Sequence, residues 1–377
     1  MRLLIISNTS WSLVNFRLGL ARYFRDQKGY EVILSGPSDG FEEMILQAGF
    51  EWRELQLDGQ SLNPFAEILS VCNLWRLVKK IKPDSMLLFT SKPNIYGGLV
   101  ASVTGVPAVH NIAGLGRVFS GQKRLLRPLV ELGYRLALRG SSVVFFQNDS
   151  DKATLLLSGA VHPNQARRLF GSGVDLNGYH PRFKQPKLGN PRFSFLLSAR
   201  LLRAKGVEVY AQAAKIVGGS LPHTEFNIIG PIVEGDSDAL TLEDIRVLEK
   251  ECGVRYLGRT DAVRNFLATA DCVVLPSFYG EGVPRSLLEA AAMGLPIITT
   301  LSPGCQDAVE DQVSGWLVTP RDIDSLATAM FSAATLASPQ LAKMSDASRL
   351  RAEALFSESE VFKAYESALE IHNKKKQ

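Results

Sequence analysis

Short apolar runs recur along the first half of the chain at residues 3–7, 31–35, 86–89, 107–111 and 143–146. Between them apolar residues return at helical spacing, as at Phe16, Leu20, Tyr23 and Phe24. A run that is apolar at every position, without alternation, is a strand covered on both faces. Strands of this kind separated by amphipathic helices predict a parallel sheet with helices on either side. The stretch 186–191, with two prolines and a glycine among polar residues, reads as a linker, and a second alternating set begins at Phe193. Strands are expected there around 195–198, 226–231, 254–259 and 272–275, and amphipathic helices near 323–334 and 360–372. The fold class is therefore α/β, with one domain over 1–183, a second over 184–355 and a terminal helix at 356–377.

The most informative punctuation lies at 275–296. The run Cys272 to Leu275 stops at Pro276, which has no N–H for a sheet ladder, so the chain must turn there. Gly280 and Gly282 allow a close backbone approach, Pro284 suits the first position of a helix, and Gly294 suits the residue just past its end. Ligands of open α/β sheets bind beyond the carboxyl ends of the strands, and a helix N-terminus offers free N–H groups to phosphate. Glu281 falls in the loop and Glu289 two turns into the helix, so a strand, a ligand loop and a helix carry two carboxylates eight residues apart.

A length of 377 residues suits two domains, and 46% hydrophobic with 21% charged residues is a globular composition. The net charge of +4, from 42 basic and 38 acidic residues, is too balanced to point to nucleic acid as partner. Four scattered cysteines, Cys72, Cys252, Cys272 and Cys305, lack metal or disulfide spacing. No run approaches the ~18 apolar residues of a membrane span, and Leu3 to Ile6 is too short for a signal-peptide core, so a cytoplasmic setting is expected.

Several further motifs divide between chemical and structural readings. Gly114-Leu115-Gly116 is followed by Phe119 where a dinucleotide fingerprint needs its third glycine, so that motif fails. His110 ends a strand, as a ligand contact or as hydrogen-bonded structure. Asp149-Ser150-Asp151 has metal-binding spacing, yet Asn148 to Ser150 reads more simply as a helix N-cap, and Asp236-Ser237-Asp238 lies in a polar loop, so no metal site is expected. Residues 121–139 form a basic amphipathic helix in which Lys123, Arg127, Arg135 and Arg139 make a drifting stripe beside Arg124. Such a helix lies on an anionic membrane surface or is an ordinary helix with solvated arginines.

The glutamate pair, with its lead-in Pro276-Ser277 and Gly280-Glu281-Gly282, resembles the signature of the family 4 retaining glycosyltransferases. Gly171-Ser172-Gly173-Val174-Asp175, Arg200 with Lys205 and Gly206, Pro303-Gly304 and residues 314–318 also match that family, so the similarity covers nearly the whole chain. The glycine pair that many members carry in the first turn is absent. Asn15-Phe16-Arg17 stands there instead and resembles a branch acting on polyprenyl-diphosphate-linked sugars; as ordinary residues at a helix start, Asn15 and Arg17 need no such role.

The resemblance implies a GT-B fold, two Rossmann-like domains with parallel sheets facing across a cleft, the final helix crossing back to the first. It implies transfer of a hexose or N-acetylhexosamine, without a metal or other cofactor, from a nucleotide sugar, expected to be UDP-linked. Glu281 would hold the sugar and Glu289 the ribose. Arg200, Lys205 and the helix start at Gly282 and Val283 would hold the diphosphate, and backbone near Arg259 and Thr260 the base. His110 is implied beside the transferred sugar, and Asn15, Arg17, Gly114 and Gly116 on the acceptor side. The acceptor implied is a polyprenyl-diphosphate-linked saccharide of bacterial glycan assembly, met at the inner face of the cell membrane through the basic helix. The alternatives are another enzyme of this architecture, an epimerase or phosphorylase with its own acid–base pair, or a non-catalytic sugar-nucleotide-binding scaffold.

Overall fold

The structure, a computed structural model, describes residues 1–57, 63–115, 119, 126–185 and 192–374. The expected linker at 186–191, Gly116, Lys123 and Arg124 lie outside the described residues. The chain divides into two compact units, Met1–Leu169 with Ser359–Gln377, and Phe170–Glu358.

Among the described residues the first unit holds seven strands: β1 (Arg2–Ile6), β2 (Glu31–Gly36), β3 (Glu51–Glu54), β4 (Ser85–Phe89), β5 (Ala108–Ile112), β6 (Val143–Phe146) and β7 (Ala166–Arg168). They form one sheet in the order β3-β2-β1-β4-β5-β6-β7, parallel throughout. The apolar runs of the sequence are its central strands. Glu51–Glu54 and Ala166–Arg168 carry no such run because they are the two edges, where burial on both faces is not required.

Successive side chains of a strand face opposite sides. Leu3, Ile5, Leu87 and Phe89 pack with Leu13, Leu20, Phe24, Tyr365 and Leu369, so the last helix, Glu358–Lys374, covers this side. Leu4, Ile6, Met86 and Leu88 pack with Leu74 and Val78 of helix Pro64–Ile81 and Val100 of helix Ser91–Thr104 on the other. The apolar spacing through Phe24 is not one helix. Thr9 caps helix Ser10–Phe16 by accepting from Ser12 N at 3.1 Å, Arg17 departs from helical geometry at φ −124°, and Leu18–Arg22 runs into a π-helical turn at Tyr23–Gln27. Asn148 is the N-cap of helix Asp149–Leu157, accepting from Asp151 N at 2.7 Å.

The second unit holds β8 (Phe193–Ser198), β9 (Thr224–Ile229), β10 (Arg255–Tyr256), β11 (Cys272–Leu275), β12 (Ile297–Thr300) and β13 (Gly315–Val318). Among the described residues these six run in the order β10-β9-β8-β11-β12-β13, again all parallel. Helices Val207–Ser220 and Ile323–Thr335 pack on the face of Phe195, Leu197 and Val274. Helix Arg285–Ala292 packs on that of Leu196, Val273 and Leu275.

The second unit begins at Phe170, ahead of the division expected after residue 183. The reason is close packing. A Cβ on Gly171 would stand 2.8 Å from a Leu288 methyl, and one on Gly173 2.6 Å from the Cα of Glu358. Val174 N donates to Phe356 O at 2.8 Å.

Candidate active site

In each sheet the chain starts at an interior strand, builds outward one way and then returns to build the other. In the second unit the reversal lies between β8 and β11, and it is in the crevice outside such a point that ligands of open α/β sheets bind. Two loops meet there.

The loop after β8 carries Arg200, then a tight turn at Arg203–Lys205, then Gly206 at φ 76° before helix Val207–Ser220. Gly206 is obligatory: a Cβ would lie 2.2 Å from the carbonyl oxygen of Pro276, the residue that ends β11. The turn is also held from the far side, where Asp238 Oδ2 accepts from Ala204 N at 3.0 Å and Arg203 N donates to Asp238 O at 2.8 Å. Asp238 is thus a backbone anchor for the lysine loop, a role invisible in a polar loop of sequence.

Lys205 is buried, and its Nζ donates to Glu281 Oε2 in the loop after β11. The other carboxylate oxygen, Oε1, accepts from Ser277 Oγ at 2.8 Å. Ser277 is fully enclosed and also lies 3.2 Å from Ala204 O; its single proton serves the nearer, charged acceptor. Thr300 Oγ1, at the end of β12, donates to Ser277 O, and Thr299 Oγ1 donates to Leu275 O at 2.7 Å. Gly304 closes the loop from above. At φ 83°, its missing Cβ would fall 2.2 Å from Gly282 O and 2.4 Å from Glu281 O. Sequence reading gives the glutamate and the lysine, with Ser277 and Gly304 only as parts of matching motifs and Thr300 not at all; that these three hold the pair is visible only in the packing.

Pro284 is the N-cap of helix Arg285–Ala292, one residue ahead of the position expected for it, and Gly294 at φ 61° follows the helix end as its left-handed residue. A Cβ added to Gly280 would meet nothing within 4 Å, so of the glycines in this region Gly206 and Gly304 are sterically required and Gly280 is not. Glu289 is buried on this helix. Its Oε1 accepts from Arg285 Nε at 2.9 Å, and Tyr179 donates a further hydrogen bond. Burial raises its pKa, and the Arg285 guanidinium opposes that rise. Beside the loop, burial and the Glu281 charge push the Cys305 thiol up to about 12, which keeps it a neutral packing group.

Arg200 is exposed on the same loop as Lys205 and makes no ion pair among the described residues. Gly230, at φ 144°, lets the loops after β8 and β9 touch, since a Cβ there would fall 1.7 Å from Ala199 O. Gly230 N in turn donates to Gly258 O at 3.1 Å, which brings the loop of Arg259 and Thr260 alongside. Arg259 is exposed, and Thr260 Oγ1 accepts from Ala262 N at 3.0 Å. Arg200, Lys205, Arg259, Thr260, Glu281, Gly282, Val283 and Glu289 therefore all lie on loops or a helix at the carboxyl edge of one sheet.

Two families match the chain in succession, one described as "Glycosyl transferase 4-like" over residues 2–148, the other as "Glycosyl transferases group 1" over residues 192–335. The chain is a glycosyltransferase of the GT-B fold. It is 26% identical, over 84% of each chain, to the N,N'-diacetylbacillosaminyl-diphospho-undecaprenol alpha-1,3-N-acetylgalactosaminyltransferase of Campylobacter jejuni. It is 28% identical, over 72% of this chain and 71% of the other, to the UDP-Gal:alpha-D-GlcNAc-diphosphoundecaprenol alpha-1,3-galactosyltransferase of Escherichia coli. Among solved structures, Anabaena HepE in complex with UDP and glucose superimposes with a TM-score of 0.80 at 17% identity, covering 98% of this chain and 99% of that one.

The first unit of the glycosyltransferase places its expected residues less uniformly. His110 sits at the middle of β5, beside Leu88 and Val144 in the register, and is wholly enclosed. Neither ring nitrogen has a hydrogen-bond partner among the described residues, and burial drives its pKa down to about 3. It is a neutral interior imidazole and does not stand at an accessible surface. The next residue, Asn111, is instead the hub of a buried network: its Nδ2 donates to Tyr365 Oη at 2.6 Å, and its Oδ1 accepts from Gln147 Nε2 at 3.1 Å. Asn15 is exposed and donates to Trp11 O at 2.9 Å, while Arg17 is buried with its guanidinium 3.9 Å above the Phe89 ring. Gly114 adopts φ 127°. Of the basic helix, the described part is Arg127–Leu138, with Arg127, Arg135 and Arg139 exposed.

Proposed function

We propose that this glycosyltransferase moves a hexose or N-acetylhexosamine from a UDP-sugar to a saccharide carried on a polyprenyl diphosphate, with retention at the anomeric carbon. The observation that carries the reading is the Lys205–Glu281–Ser277 cluster at the β8/β11 reversal, beside the start of helix Arg285–Ala292. A cation and a helix N-terminus suit a diphosphate, and a carboxylate suits sugar hydroxyls. Support for the donor comes from the UDP in HepE and in the name of the E. coli relative. Support for the acceptor comes from the two undecaprenol-diphosphate relatives, both named for alpha-1,3 linkages.

In this reading Lys205 and Arg200 take up the charge that develops on the departing diphosphate, and Glu281 orients the sugar by its hydroxyls. Glu289, fixed by Arg285 and Tyr179, accepts from the ribose. The bond from C1 to the diphosphate oxygen breaks as that to the acceptor oxygen forms on the same face, and the acceptor proton passes to the leaving phosphate oxygen. His110, enclosed as it is, has no part in these steps. The protein meets the membrane peripherally at its inner face, with Arg127, Arg135 and Arg139 toward anionic lipid. The test is transfer from labelled UDP-hexoses and UDP-N-acetylhexosamines to polyprenyl-diphosphate-linked and free sugars, with the product anomer assigned by NMR. Transfer only to free sugars, or an inverted anomer, would overturn it.

A further inference from the structure

Helix Pro64–Ile81 has 18 residues, a length of about 27 Å at the usual rise. One side of it belongs to the core: Leu74, Val78 and Ile81 pack over Leu4, Ile6 and Met86. The opposite side is apolar as well, and nothing among the described residues covers it. Phe65 is 83% exposed, Ile68 63% and Leu69 54%, at the spacing that puts them on one stripe. Farther along the same side come Trp75, then Arg76, Lys79 and Lys80.

A second helix repeats the arrangement. On Arg127–Leu138, Tyr134, Ala137 and Leu138 are buried, whereas Leu129, Leu132 and Leu136 are exposed beside Arg135. Helix Ser91–Thr104 packs against both, so the three form one layer on one face of the sheet, as right-handed crossovers β3 to β4, β4 to β5 and β5 to β6 require. The acids in the two outer helices are already engaged: Glu67 with Lys92 at 2.6 Å and with Tyr96, and Glu131 with Arg127 at 2.7 Å.

Exposed apolar stripes call for an occupant. A second copy of the chain meeting this face would offer Arg76, Lys79 and Lys80 no free acid from these two helices, since Glu67 and Glu131 are already engaged. An anionic bilayer offers acyl chains for the stripe and phosphates for the cations, the combination that interfacial helices use, with an aromatic such as Trp75 at the boundary.

We infer that helices Pro64–Ile81 and Arg127–Leu138 form a membrane-insertion face, with Phe65, Ile68 and Leu69 entering the boundary between headgroups and acyl chains. This rests on the lipid-linked acceptor proposed above and goes beyond surface attraction of a basic helix, because the apolar stripe makes attachment resistant to salt.

The experiment is sedimentation of the full chain with phosphatidylglycerol-containing vesicles at low and high salt, for wild type, for Phe65→Ser with Ile68→Ser and Leu69→Ser, and for Arg76→Gln with Lys79→Gln and Lys80→Gln. The apolar triple variant is expected to partition roughly tenfold more weakly at both salt concentrations, the basic one to weaken at low salt alone. Quenching of Trp75 by brominated lipid, lost in Trp75→Phe, places the helix in the bilayer. Turnover on a short-chain, water-soluble polyprenyl-diphosphate sugar stays at the wild-type level in both variants; its absence in wild type would sink the proposed function and leave the insertion face standing. Wild-type vesicle binding by the apolar variant overturns the inference. So does light scattering that shows a wild-type dimer split by the same substitutions, which would make the stripe a self-association surface.

Discussion

Lys205 and Glu281 stand on loops after different strands, yet the ammonium of one is bonded to a carboxylate oxygen of the other, and Ser277 holds the second oxygen at 2.8 Å. The pair is part-buried, so each group leaves the other's charge poorly compensated if removed. In the proposed reading, the cation for the diphosphate and the carboxylate for the sugar are thereby held at one point.

Lys205→Ala and Glu281→Gln are each expected to lower kcat by roughly 10²–10³-fold, the range found for loss of one preorganised electrostatic group. Because they act as a unit, the double variant is expected to be no more than about threefold worse than the worse single one. Initial rates with saturating donor, beside far-UV circular dichroism melts, check this; fully multiplicative losses would show that the two act independently.

Gly304→Ala and Gly280→Ala are expected to behave oppositely. The first forces a side chain into φ 83° and against two carbonyl oxygens, and is expected to cost at least about 2 kcal/mol of stability and most of the activity. The second meets open space and is expected to stay within about 0.5 kcal/mol of wild type. Denaturant melts decide, and equal melts for the two would refute the loop geometry described above.

Stability is expected to fall on acidification partly through His110. Its folded pKa of about 3 lies below the ordinary 6.5, so between those values the unfolded chain binds the proton that the native state refuses. That stability is present above pH 6.5 and is lost toward pH 3, at up to about 1.4 kcal/mol per pH unit. His110→Leu should flatten this part of the curve in urea melts from pH 7 to 4. An unchanged slope would mean that the imidazole finds a proton partner in the native protein.

Transfer is expected to persist in excess chelator, within about twofold of the untreated rate. Asp238 and Asp236 spend their carboxylates on backbone N–H groups of Ala204 and Asp238, and Asp151 binds Asn148 Nδ2 at 2.7 Å. The second Asp-x-Asp motif of the chain is thus committed to turns, and in the first Asp151 is held at the cap while Asp149 pairs with Arg168 at 3.6 Å. Loss of transfer that a divalent ion restores would contradict the expectation.

What the sequence determined by itself is what depends on neighbours along the chain. Runs such as Met86 to Phe89 and Cys272 to Leu275 had to be interior strands, Asn148 had to cap, Gly294 had to end a helix, and Glu281 and Glu289 had to fall on one loop and one helix eight residues apart. Only the tertiary structure decided what those residues meet. Edge strands such as Glu51–Glu54 carry no apolar run to announce them, because one covered face is enough there. His110 has the same one-letter context whether it faces a ligand or a core, and it is the sheet register, with Leu88 on one side and Val144 on the other, that seals it in. Ser277 and Gly304 belong to motifs that match the family and Asp238 to a polar loop, and what they hold is decided only where packing presses the loops after β8, β9, β11 and β12 against one another. The exposed stripe of Phe65, Ile68 and Leu69 is apolar like any core residue, and only the packing of Leu74 and Val78 on the opposite side of that helix shows which face was left outside.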